Sequence, residues 1–338
     1  MKLFKKFTIF ACLFLQAKSV LAEEVEKPRV KKDDKSIFSV VWENDALSGA
    51  DKGYTNGVRF AYISSEEQAP KFFRHASNYL PMFAKNGKKR IGIAVGQNMY
   101  TPSNIETQNP DSNDHPYAGW LYGSFGMFSD TGKTLDNVVI TLGMVGPAAR
   151  AEPTQKFIHK NFTDSAKPQG WNNQLKDEPG VVLTYERKWR EVFSASRNSA
   201  GFDMMPHVGI DLGNVYTDAS MGATFRLGYD LPVDYGPPRI RPSLPGSDFF
   251  VPVEKISGYL FSTAELRAVG RNIFLDGNTF QESSHVHKKT MVGTLQIGGV
   301  VIYKETRISL TRIFVTREYA GPHGNGVKFD ALTLSWRF

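Results

Sequence analysis

The sequence predicts an all-β protein: a transmembrane, antiparallel, up-and-down β-barrel of about twelve strands, with a short helix in one external loop. Three observations predict it. The chain opens on a basic and then apolar leader. It repeats segments of roughly ten residues in which apolar and polar side chains alternate. It closes on a strand whose last residue is aromatic.

The leader comes first. Lys2, Lys5 and Lys6 precede an apolar run from Phe7 to Leu15, and Val20-Leu21-Ala22 offers a small residue at a cleavage point. This pattern reads as a secretory signal peptide over residues 1–22, too short to span a bilayer. The single cysteine, Cys12, lies inside it, so the exported chain is expected to hold no disulfide and no thiolate metal site. Of the 41 basic residues, four lysines and no acid leave with the leader, and the formal charge falls from +7 to +3. A nucleic-acid partner is therefore not expected. Residues 23–35 are dense in charge and lack periodicity, and read as a flexible periplasmic lead-in. Residues 36–338 form the barrel domain.

No later stretch reaches the roughly 18 consecutive apolar residues of a membrane helix, but barrel strands of about 9–11 alternating residues need none. The final segment shows the pattern: Leu332, Leu334, Trp336 and Phe338 share one face, and Thr333, Ser335 and Arg337 the other. The terminal Phe also resembles the assembly signal of outer-membrane barrels, which implies the barrel assembly machinery as a partner during biogenesis.

Twelve strands are read near 36–45, 56–64, 89–99, 119–128, 136–146, 180–193, 205–215, 220–229, 256–269, 288–302, 305–317 and 327–338. Ile308-Ser-Leu310 and Ile313-Phe-Val315 are out of phase across Thr311-Arg312, which predicts a bulge there. With both termini periplasmic, the connections near 46–55, 100–118, 147–179, 216–219, 270–287 and 318–326 fall on the external rim. Those near 65–88 and 230–255 fall in the periplasm. Six prolines (Pro232, Pro237, Pro238, Pro242, Pro245 and Pro252) exclude the second of these from the membrane.

Parity gathers the chemistry-capable residues on the external side. They are Glu43-Asn44-Asp45, Gly53-Tyr-Thr-Asn-Gly57, Gln97 to Pro102, Asp114 to Trp120, and a long third loop holding His159 and Gly170-Trp-Asn-Asn-Gln174. Pro153, at a first helical turn, predicts a short helix near 149–162 packed on the barrel wall. No Gly-x-Ser-x-Gly elbow is present, and Ser124 in Tyr-Gly-Ser-Phe-Gly126 belongs to a wall strand. Asp114-His115 is a weak metal signal, as is the pair His285 and His287, since neither supplies a full ligand set.

Taken as a set, END, GYTNG, YTP, PYAGW, the loop histidine and GW–Q resemble the outer-membrane lipid A 3′-O-deacylase family over nearly all the mature chain. The resemblance implies a twelve-stranded outer-membrane enzyme that hydrolyses the 3′-acyloxyacyl ester of lipid A with calcium. It implies lipopolysaccharide as substrate and outer-membrane lipids as surroundings. It matches the catalytic histidine to His159, an imidazole suited to activating water near neutral pH. The paired Asn-Asp falls on Asn44 and Asp45, whose oxygens suit calcium. A hydroxyl position falls on Thr55. Gln97, Lys156 and Lys160 are candidate substrate contacts, the lysines toward lipid phosphates. Arg150 and Lys167 flank His159 as further cations.

Each residue has a plainer reading. Asn-Asp commonly starts a turn, Thr55 fills space on a strand, and the lysines form a solvated face. The family's lysine in the second external loop has no counterpart in Ile105-Glu-Thr-Gln-Asn109, and Asp164 does not align with the family's acidic position after the histidine. Two other classes stay open: an outer-membrane phospholipase, and a non-enzymatic pore or adhesin.

Overall fold

The computed structural model describes residues 34–45, 53–66, 68–80, 82–84, 86–163, 166–236 and 248–338. The signal peptide with Cys12, most of the lead-in, Asp164 and four of the six prolines lie outside these residues.

Twelve long strands close on themselves. They are β1 (Ile37–Asn44), β2 (Gly53–Ile63), β3 (Lys88–Thr101), β4 (Ala118–Asp130), β5 (Thr134–Val145), β6 (Glu178–Trp189), β7 (Ala200–Gly213), β8 (Tyr216–Tyr229), β9 (Ile256–Asn272), β10 (Met291–Tyr303), β11 (Thr306–Val315) and β12 (Val327–Arg337). Each pairs with its sequence neighbours, and β12 returns to β1 with Ile37 opposite Arg337 and Asn44 opposite Asp330. Closure satisfies the backbone of every strand within lipid. Among the described residues no helix is long and apolar enough to cross a membrane.

The predicted alternation holds along the strands. Ser39, Thr333, Ser335 and Arg337 are buried in the lumen, while Phe38, Trp42, Leu332, Leu334 and Trp336 are exposed on the outer wall, where lipid takes the place of water. Among the described residues two bulges occur, and neither is where the sequence suggested. β11 pairs with β10 from Thr306 to Val315 without a shift. Ile313 keeps strict alternation and turns into the lumen against Tyr54, Val327 and Phe329. An apolar lumen residue, and not an inserted one, caused the change of phase. The irregularities lie between Tyr54 and Asn56 on β2 and between Val269 and Arg271 on β9. The external connection read at 216–219 is shorter, because Tyr216–Ala219 already belongs to β8.

The lumen is filled at two levels. Tyr54, Tyr100, Trp120, Phe274, Ile313 and Phe329 form an aromatic layer toward the external end. Toward the periplasmic end, Asp234, Tyr235, Asp248, Phe249 and Phe250 are buried inside the barrel. The prediction for the 230–255 connection is thus corrected: its described ends enter the mouth of the barrel and plug it. Arg59 donates to both carboxylate oxygens of Asp248 at 3.0 Å. Arg226 joins Asp203 and Asp234, and Arg307 donates to the Asp248 carbonyl at 3.0 Å. Luminal charges cannot meet water, so they meet each other.

Candidate functional site

The third external loop builds a helix, α1 (Ala151–Ile158), which runs on into a π-helical turn at His159–Thr163. This matches the predicted 149–162. Ala151, Gln155 and His159 recur every four residues and are buried, His159 at 8% exposure, so one face of the helix lies on the barrel wall. The seat is Gly119 on β4: a Cβ there would stand 2.6 Å from that of Ala151 and 3.0 Å from that of Ala149. Only glycine lets the helix approach so closely. Gln97 fixes the start of the helix from β3, donating through Nε2 to the Ala149 carbonyl at 2.6 Å.

The sequence motifs explain the support. Trp171, from the GW–Q segment, donates its indole N–H to Oε1 of Gln155 at 2.8 Å and packs on Tyr117 of PYAGW with ring centroids 4.8 Å apart. Tyr117 in turn donates to the Ile105 carbonyl at 3.2 Å. Met99, Ile105, Tyr117, Ala151 and Trp171 form one apolar cluster outside the barrel, with Ile158 and Ala166 against it. Trp120 of the same motif points the other way, into the lumen. Nδ1 of His159 lies 2.7 Å from the carbonyl oxygen of Ala166. A carbonyl only accepts, so Nδ1 carries the proton and the lone pair sits on Nε2. This is the tautomer a general base requires.

Asn44 and Asp45 meet Thr55 across the β1–β2 connection. The Thr55 carbonyl accepts from Nδ2 of Asn44 at 3.4 Å and from the backbone N–H of Asp45 at 3.2 Å. All three residues are buried. The bulge at Thr55 decides its direction. Tyr54 turns into the lumen, and the Thr55 hydroxyl meets that of Thr101 at 2.7 Å; Thr101, next but one after the outward Met99, is on the outer side. Glu43 takes the luminal face, opposite to Asn44, as strand alternation requires.

The register then places these elements together. Directly paired residues of an antiparallel sheet share a face. Asn44 pairs with Asn56, Asn56 with Met99, and Met99 with Gly119. Asn44 therefore lies in the same outward row of the wall as the seat of α1, with Thr55 beside it; His159 shares the buried face of that helix with Ala151 and Gln155. The row lies on the outward face of the wall, opposite the lumen.

Other predicted residues lie elsewhere. Lys156 is on the exposed side of α1, bound to Glu152 at 2.5 Å, and Lys160 is exposed on the π turn. Arg150 caps α1 in a left-handed conformation at φ 59°. Asp114 is a brace, accepting from the Ser103 and His115 backbone N–H groups at 2.7 Å and from Tyr319 at 2.8 Å. Burial, and then this carboxylate, push the Tyr319 phenol well above its ordinary value. His285 binds the Ser283 carbonyl at 3.2 Å, and Ser124 sits in the wall against Thr141. Among the described residues no group of three or more His, Cys, Asp or Glu is placed to hold a metal. A cation here would need amide, carbonyl and hydroxyl oxygens around one carboxylate. Asn44, Asp45, Thr55 and Thr101 supply that mixture, and it is one that calcium accepts. Asn56 and Thr101 lie in external segments that the sequence marks, but neither they nor Gln155 receive a role from it. Gln155 had a usable signal, its helical spacing from His159.

Against known proteins, residues 8–338 match the family model described as outer membrane protein LpxR. The chain belongs to the LpxR family. LpxR from Salmonella typhimurium has a similar structure, with a TM-score of 0.72 at 18% identity over 90% of this chain and 100% of that one. The β domain of the Bordetella autotransporter BrkA matches with a TM-score of 0.42 at 9% identity, over 90% and 99% of the two chains. A search of curated sequences returned no match. Membership of this family, with the closed barrel and its lipid-facing apolar wall, makes this LpxR-family chain an outer-membrane protein.

Proposed function

We propose that this protein is a carboxylic ester hydrolase that removes the 3′-acyloxyacyl group of lipid A in the outer leaflet. The observation that carries the reading is the outward row: Asn44, Thr55 and the seat of the His159 helix lie on the lipid side of the wall at its external end. A substrate held in the leaflet by its own acyl chains reaches them sideways.

In this mechanism Nε2 of His159 takes a proton from water, and the hydroxide attacks the ester carbonyl. The tetrahedral intermediate collapses, the sugar oxygen takes the proton from His159, and the fatty acid departs into the leaflet. No acyl-enzyme forms. Ala166 holds the imidazole in the required tautomer, and the Thr55 hydroxyl, oriented by Thr101, positions water or substrate. Calcium held by Asn44 and Asp45 would supply Lewis-acid polarisation of the carbonyl and stabilise its developing negative charge. The donor set around Thr55 supports that choice of ion.

His159→Ala should lower acyl release by at least about a hundredfold while the barrel still migrates as a heat-modifiable band. Mass spectrometry of lipid A incubated with each protein reads this out, and unchanged deacylation by the variant ends the proposal. A calcium chelator should silence the wild type, with recovery on adding calcium back. The filled lumen weighs against a pore, for which ion conductance without a lipid product is the sign. Preferential phospholipid hydrolysis would replace lipid A by a phospholipid. Export by the leader, and assembly read from the exposed Trp336 and Phe338, complete the proposed biology.

A further inference from the structure

The outward row does not stop at Asn44. Across the barrel's closing seam, Asn44 pairs with Asp330 on β12, and Asp330 pairs with Arg312 on β11. By the same rule of shared faces, all three side chains stand on the outer wall. Neighbouring strands lie about 4.8 Å apart, so the Arg312 backbone is roughly 10 Å from that of Asn44, on the side away from α1.

Arg312 is held by a two-pronged contact: Nε donates to Oδ1 of Asp330 and Nη2 to Oδ2, each at 2.9 Å. The simple reading is a surface ion pair of little worth. The exposures argue otherwise. The Asp330 side chain is 8% exposed and that of Arg312 50%. The carboxylate is covered and the cation is open, with the other guanidinium donors turned away from Asp330. Lys328, the adjacent outward residue of β12, is also exposed, its ammonium 5.9 Å from the Phe314 ring centroid. The Arg312 guanidinium is therefore open toward the leaflet while the carboxylate that orients it is shielded. Below them Leu310 and Leu332 are exposed apolar wall, which puts Arg312 where acyl chains give way to headgroups. A cation on the lipid face is costly at mid-membrane and tolerated near the interface, and its preferred partner there is an anion.

We propose that Arg312, preset by Asp330, is the specificity residue of this site and binds a phosphate on the sugar headgroup of the substrate. The proposal rests on the reading of the site as a lipid A esterase and adds which part of lipid A is recognised. The headgroup would bridge the row, with its phosphate at Arg312 and its ester between Asn44 and His159. Arginine suits this role because its rigid fork serves a carboxylate on one edge and a phosphate on another.

The test separates binding from turnover. Purified full-length protein in detergent is titrated with phosphorylated lipid A, with lipid A stripped of phosphate, and with phosphatidylglycerol; turnover of both lipid A forms is followed in parallel. Wild type should prefer the phosphorylated form by about tenfold, the scale of one charge-assisted hydrogen bond. Arg312→Gln should lose that preference through KM, with kcat on phosphate-free substrate unchanged. Asp330→Asn, which keeps the cation and loosens its setting, should lose part of it. An unaltered preference in Arg312→Gln overturns the assignment, as does equal loss of phosphatidylglycerol binding, which would make this a general headgroup site. If the preference follows Arg312 but neither lipid A is hydrolysed, the esterase reading fails and the phosphate site stands.

Discussion

The plugged lumen and the outward row hold similar side chains to different ends. In the lumen, Arg59, Arg226 and Arg307 are buried against Asp248, Asp203 and Asp234. These groups neutralise one another and pin the plug to the wall. On the outer wall, Asn44, Thr55, Asp330 and Arg312 sit at the edge of a surface that is otherwise apolar. Inside a barrel a polar residue is the default; on the lipid face it costs stability, so its presence there calls for another reason. The same residue types are structural on one side of the sheet and functional on the other.

Substitutions at three positions break or sharpen this contrast. The largest effect belongs to the lumen. Asp248→Ala strands Arg59 without its carboxylate and should cost about 3–5 kcal/mol, read as a lower unfolding temperature of the barrel in detergent. Turnover at low temperature should persist; its loss would tie the plug to the site.

An intermediate effect belongs to the row. Thr101→Val removes the partner of the buried Thr55 hydroxyl, and kcat should fall about tenfold with KM unchanged, while Thr101→Ser restores it. A drop in stability with no change in kcat would reduce Thr101 to packing.

The smallest effect is at the rim, where His323 lies 3.1 Å from Asp111 and links the second and sixth external loops. The Asn113 backbone N–H, then its side chain, with a smaller part from His323, hold the Asp111 carboxyl below its ordinary 3.8. A lowered folded value means that this contribution is complete above 3.8 and lost as pH falls through the lower value. Protection of residues 102–117 and 316–326, taken relative to the intrinsic exchange rate at each pH, should therefore fall at low pH, and Asp111→Asn should blunt that change. Equal pH response in both proteins would show that the loops are held otherwise.

Much of the fold was legible because a closed barrel forces a two-residue period on every strand. Leu332, Leu334 and Trp336 declared their face, and the external helix followed from Pro153 at its first turn. The errors came where a side chain broke the period for a tertiary reason. Ile313 is apolar because it meets an aromatic layer made by other strands, which local pattern reads as a slip. Strand parity puts the 230–255 connection in the periplasm and its prolines exclude a strand, yet nothing local says that Asp248 has Arg59 as its partner.

By itself the sequence determined the strand count, which side chains of each strand face the lumen, and the motifs that match the LpxR family. These depend on spacing along the chain. Only the tertiary structure decided that the bulge turns Thr55 outward, that Gly119 seats the histidine helix outside the wall, and that Arg312 joins the row through Asp330. Each of these depends on register between strands far apart in sequence, and register is fixed when the sheet closes.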